Sequence, residues 1–221
     1  MKTLLKTKLL TTALPRKIAE LRSDTNGIAA VEFALIAPVM IAMYFGLAEI
    51  AQAISVDRKI SQSTSVAGDL ATQIAKVSAE DMSEIMAATL QIANINDTEN
   101  YKLEVASYSM NADGDVVLLG KAILNDGPQT FKPFDPESLD SRILNQTSGV
   151  VVARTAYVFE PLKLKYMKTD VNLRETFLLK PRRSAAVQFG DAEGTEFSCS
   201  ATNPSSVICS SAASGEDDDN G

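Results

Sequence analysis

Gly27-Ile28-Ala29-Ala30-Val31-Glu32-Phe33 brings together two features that can do chemistry. Gly27 is a glycine immediately before the apolar run, and with no side chain its backbone is conformationally free. Glu32 places a carboxylate five residues into an apolar run that extends from Ile28 to about Ile54. A carboxylate in such a run costs roughly 2.5–3.5 kcal/mol at a bilayer centre and less near an interface, so it calls for a compensating cation. The other candidate chemistry is thiol oxidation: Cys199 and Cys209 would close a short loop near the C-terminus. An oxidising compartment favours a disulfide between them; in a reducing one they stay two free thiols. The chain has no histidine, which removes the commonest general base and metal ligand. Ser-His-Asp and Cys-His catalysis and most zinc sites are thereby excluded. With no nucleophile motif either, the chain is expected to be no enzyme and to need no cofactor.

The apolar run must be positioned by a helix. It is uncharged from Phe33 to Ala48 and exceeds the ~20 residues that span a bilayer core. Turn and cap residues at Ser23-Asp24-Thr25-Asn26-Gly27 predict a helix start near Ile28, and Pro38 predicts a kink. Lys2, Lys6, Lys8, Arg16, Lys17 and Arg22 against Glu20 and Asp24 give residues 1–27 a net charge of +4, so the rest of the −7 chain carries −11. Asp57, Arg58 and Lys59 beyond the run nearly cancel. The basic side is therefore expected in the cytoplasm and the main domain outside. The acidic domain argues against nucleic acid, whose phosphates need clustered Lys and Arg. A secretory signal fits less well, because Lys6 and Lys8 interrupt the early leucines.

Beyond the run, Ala53, Val56, Ile60, Ala67, Leu70 and Ile74 keep helical steps to about Val77, with Gly68 as the weak point. Ser78-Ala79-Glu80-Asp81 reads as the cap of a second helix reaching about Ala93, buried through Met82, Ile85, Met86, Leu90 and Ala93. The period then becomes two. Residues 101–108 and 116–119 predict strands around the turn Asn111-Ala112-Asp113-Gly114-Asp115, which lacks the bidentate Glu of a calcium loop. A short helix over Ser138–Gln146 and strands over 150–159, 176–180 and 185–189 follow. Glu49 and Gln52 read as interfacial side chains. From Gly190 the chain reads as an acidic flexible tail ending in Glu216-Asp217-Asp218-Asp219. The fold class is α+β: a leader (1–27), a transmembrane helix (28–54), a domain with a second helix and a small antiparallel sheet (55–189) and the tail (190–221).

Two places in the sequence are similar to one family. Residues 24–38, from Asp24-Thr25-Asn26-Gly27 through Glu32-Phe33 to Ala37-Pro38, resemble the N-terminal signature of TadE-like pilus-assembly proteins of the tight-adherence (Flp-type) pilus. Tyr157-Val158-Phe159-Glu160-Pro161 and Phe177-Leu178-Leu179-Lys180-Pro181-Arg182 resemble that family's closing strands. The resemblance implies a minor pilin or pseudopilin in the bacterial inner membrane, with a periplasmic domain. It implies partnership with other pilin subunits, inner-membrane assembly proteins, membrane lipid and a prepilin peptidase. Cleavage would fall between Gly27 and Ile28, leaving Glu32 and Phe33 for assembly. A 27-residue leader is long for that class, so retention of the leader as an anchor stays open. The alternative is a plainly anchored periplasm-facing binding or sensor module, which needs neither Gly27 nor Glu32.

Overall fold

In a computed structural model, residues 27–95, 98–125, 131, 134–140, 142–160 and 170–211 are described. The basic leader before Gly27 and the acidic run at 216–219 lie outside them. The chain divides into two units, one ending at Ile50 and the other beginning at Ala51.

Helix α1, Ile28–Thr72, is 45 residues long and contains Pro38. In the first unit it is long and apolar enough to cross a membrane. Most of its apolar side chains there are exposed, including Val31, Phe33, Leu35, Met40, Tyr44 and Leu47, whereas Glu49 is buried. A helix apolar on every side is one that lipid or other helices must cover.

In the second unit, the rest of α1 and helix α2, Ala79–Ala93, form a core with a sheet. The sheet has six strands in the order β5-β4-β2-β3-β7-β8: β2 is Tyr101–Met110, β3 Val116–Leu124, β4 Val150–Phe159, β5 Val171–Leu179, β7 Thr195–Asn203 and β8 Ser206–Ser211. All pairs are antiparallel except β3 with β7. A two-residue parallel pair joins β1, Lys76–Val77, to β6, Gln188–Phe189. Alternation along β2 and β4 sends Leu103, Val105, Val151 and Ala153 into the main core. The neighbouring Val150 and Val152 enter a smaller cluster with Leu144, Tyr108 and Phe134.

The α+β class and the long apolar helix are as expected, but the sheet is larger than the expected one. Residues 195–211 are not a tail. They form β7 and β8, whose Phe197 and Cys199 lie in the core. Their alternation is built largely of Ser, Thr and Ala, so it carries a weak hydrophobic signal. The expected helix over 138–146 is a 3-10 turn at Pro136–Ser138 followed by turns. Helix α1 stops at Thr72, where the backbone N–H of Arg182 donates to the Thr72 carbonyl (3.0 Å). Helix α2 begins as read: Ser78 Oγ accepts from the Asp81 N–H (3.1 Å), while Asp81 Oδ2 accepts from the Ser78 N–H (2.9 Å).

Gly68 marks an approach between helix and sheet. A Cβ there would stand 2.5 Å from Leu179 Cδ1 and 3.1 Å from Ala153 Cβ. Gly68→Ala should change stability little, because swinging the Leu179 side chain aside offsets a helix-propensity gain of about 1 kcal/mol. Gly68→Leu should cost about 2–3 kcal/mol through overpacking against Ala153. Thermal melts of the two variants check the contrast, and equal losses would refute the close-packing role.

Candidate functional site

Gly27 immediately precedes α1, and a Cβ there would meet nothing within 4 Å. Gly27 itself has 3-10 geometry, and the Gly27–Ile28 peptide leads directly into the α-helix. Glu32 is one turn further on, roughly 6 Å along the axis at 1.5 Å per residue. It is exposed, as are Ile28 and Val31 beside it, and Phe33 is 71% exposed. A free amine at Ile28 of one chain and Glu32 of another would compensate each other on packing of two such helices.

Glu49 corrects its sequence reading. It is 2% exposed, and neither carboxylate oxygen has a hydrogen-bond partner, whereas Gln52 is exposed.

In the second unit the same helix is fastened by hydroxyls. Thr64 Oγ1 donates to Thr155 Oγ1 of β4 (2.6 Å), and Ser63 Oγ shares a hydrogen bond with the Tyr101 hydroxyl of β2 (3.1 Å). Ser63 and Thr64 also lie within reach of the Ile60 carbonyl, at 2.9 and 2.7 Å. Arg182 pairs with Asp69 near the helix end. The sequence reading passed over Ser63 and Thr64, although their spacing from Ile60 and Ala67 puts them on the buried face.

Burial pushes the Tyr101 hydroxyl above the usual tyrosine range, against the opposing effect of its bonds to Ser63 and Thr155. The folded state therefore holds this proton at a pH where the unfolded chain has released it. The associated stability is present below about pH 10, the ordinary tyrosine value, and is lost as pH rises beyond it. Tyr101→Phe should flatten that alkaline decline, at a cost near neutral pH of about 1 kcal/mol for the lost hydrogen bond. Denaturant titrations at pH 8 and pH 11 check this, and an unchanged slope would refute it.

Cys199 and Cys209 face each other across β7 and β8 and form a disulfide, with an S–S distance of 1.97 Å and Cα atoms 4.0 Å apart. The Cys209 N–H donates to Ser83 Oγ of α2 (2.9 Å), so the bridge sits where the last strand meets the second helix. On the sheet face away from Tyr101, the buried Arg154 pairs with Glu104, and its guanidinium lies over the rings of Phe131 (4.9 Å) and Phe134 (5.5 Å). Among the described residues, no group of three or more His, Cys, Asp or Glu side chains is placed to hold a metal ion.

Gly27, Ile28, Glu32 and Phe33 thus form a compact set at the exposed start of α1, separate in sequence from the cysteine bridge. Residues 27–69 match the family of TadE-like proteins, the family that the N-terminal signature resembles. The match takes in nearly all of α1 and ends at Asp69, before the closing strands. No curated protein and no solved structure matches the chain.

Proposed function

We propose that this chain is a minor pilin or pseudopilin-like subunit of the inner membrane, acting in assembly of a tight-adherence pilus by helix association and without catalysis. The observation that carries the reading is the TadE-like segment itself: its first half is a helix apolar on every side, with one carboxylate a single turn from its start. Lipid covers that surface in the membrane, and neighbouring helices of the same kind cover it in an assembly. Glu32 gives the association a register, because an unpaired carboxylate is costly in that setting and a pairing amine relieves the cost. The basic leader orients the chain with residues 1–27 in the cytoplasm and the sheet-bearing unit in the periplasm. Prepilin peptidase, other pilin subunits and inner-membrane assembly proteins are the partners this role requires.

The intact mass of membrane-extracted protein tests the processing step. A species beginning at Ile28 is expected, and a chain retaining residues 1–27 would sink that step. Glu32→Ala tests assembly. Piliation should fall at least tenfold with membrane levels of the protein unchanged, the loss of one compensated charge pair being worth more than about 1.4 kcal/mol. A plainly anchored module would lose nothing.

A further inference from the structure

A cavity of about 340 Å³ opens in the second unit between α1, the end of α2 and the end of β4. Val56, Ile95, Tyr157 and Phe159 supply apolar wall, while Lys59 and Glu160 bring one charge of each sign. Among the described residues, those two charges do not pair with each other, and no hydrogen bond or ion pair holds either of them. This contrasts with Glu104 and Arg154, which are paired. Val56 comes two residues after the end of the apolar run at Ile54 on the same continuous helix, and Lys59 follows within a turn. At 1.5 Å per residue, both lie within roughly 8 Å of that end along the axis, which is headgroup depth if the run spans a bilayer.

We propose that this cavity is a binding site for a zwitterionic phospholipid with a phosphoethanolamine headgroup. Lys59 takes the phosphate and Glu160 the ammonium. The glycerol and the first methylenes lie along Val56, Ile95 and Phe159. A phosphoethanolamine group carries both charges that the cavity leaves unmatched. An anionic phosphoglycerol headgroup would satisfy Lys59 but meet Glu160 with no cation of its own. The proposal rests on reading residues 28–54 as a membrane span. It goes beyond pilus assembly by giving the second unit its own contact with the membrane.

The test uses the full chain, purified in detergent and stripped of lipid. Synthetic phosphatidylethanolamine and phosphatidylglycerol of identical acyl chains are added in parallel, and retained lipid is counted by native mass spectrometry. Wild type should retain phosphatidylethanolamine about tenfold better. Lys59→Ala should lower that retention about tenfold, and Glu160→Ala should abolish the preference between the two lipids. Val56→Trp, which fills the cavity but keeps both charges, should lose the lipid as well. Soluble phosphoethanolamine at the same concentration should compete weakly, because it lacks the chains that meet the apolar wall. Equal retention of both lipids by wild type, a preference that survives Glu160→Ala, or unchanged retention in Val56→Trp would overturn the proposal. Failure of the span reading would appear separately, as protein released from membranes by alkaline carbonate.

Discussion

Arg154→Met should lower the stability of the sheet-bearing unit by about 3 kcal/mol, the lower end of the 3–5 kcal/mol range for removing one member of a buried ion pair. Glu104 and Arg154 face each other across β2 and β4, and each is less than a tenth exposed. The guanidinium Nε donates to Glu104 Oε1 at 3.0 Å, and the flat face of the same group rests on two phenylalanine rings. Methionine keeps some of the packing on the rings and leaves the carboxylate without its guanidinium. Lys102 lies two residues from Glu104 on the same strand face and over Phe131, so one cation stays near, which is why the lower figure applies. In a chain of this size that loss should appear as a fall in Tm of roughly 6–12 °C. The double change Glu104→Leu with Arg154→Met should recover most of it, because the buried charge is then gone with its partner. Equal melting of wild type and Arg154→Met would show the pair to be without consequence, and a double variant no better than the single would place the cost in packing.

Breaking the Cys199–Cys209 bridge is the second large effect. Closing so short a loop removes chain entropy from the unfolded state worth about 3 kcal/mol. The bridge joins the edge strand β8 to β7, and β8 in turn contacts α2 through Cys209 and Ser83. Cys199→Ser with Cys209→Ser should therefore lower Tm by roughly 6–12 °C. It should also open β8 first, seen as faster amide exchange over Ser206–Ser211 while β2 and β4 stay protected. The same outcome is expected of wild type treated with reductant. Non-reducing peptide mapping of membrane-extracted protein checks the bond directly, and recovery of both thiols alkylated would refute it. If the bond forms in cells, the sheet-bearing unit matures in an oxidising compartment, as a periplasmic placement requires.

Much of the helical part is legible in the residues. The run from Ile28 to Ile54 declares itself by length and by the uncharged stretch from Phe33 to Ala48. The cap at Ser78 and Asp81 forms because both partners lie three residues apart, a local interaction that needs no fold. The start of α1, with Gly27, Glu32 and Phe33, is likewise a local pattern. The strands of β2 and β4 show through dense β-branched and apolar residues; the structure lengthens the strands expected at 116–119 and 176–180 and cuts the one expected at 185–189 to Gln188–Phe189.

What stayed illegible depends on partners distant in sequence. β7 and β8 are made largely of small polar residues, and they become strands because β3 offers β7 a parallel edge, whose five paired positions no local rule announces.

 The register of that edge, Gly120 beside Thr195 through Leu124 beside Cys199, exists only once the sheet has assembled. Gly120 shows the same dependence: a Cβ there would meet Phe189 Cβ at 2.4 Å and the Thr195 carbonyl at 2.6 Å, neighbours about 70 residues away in sequence. Gly68, read from the sequence as a weak point in a helix, is instead the place where α1 comes closest to Ala153 and Leu179.

The sequence by itself determined where the chain is apolar enough to enter a membrane, which side of that run is basic, and where Glu32 and Gly27 stand at its start. Those properties depend on composition and on spacings of a few residues, so they are present before any folding. Only the tertiary structure decided that residues 195–211 complete a six-stranded sheet, that Arg154 is matched with Glu104, and that Lys59 and Glu160 share a cavity. Each of these joins residues tens of positions apart, and their pairing is set by strand register and by the burial that the packed sheet and helices create together.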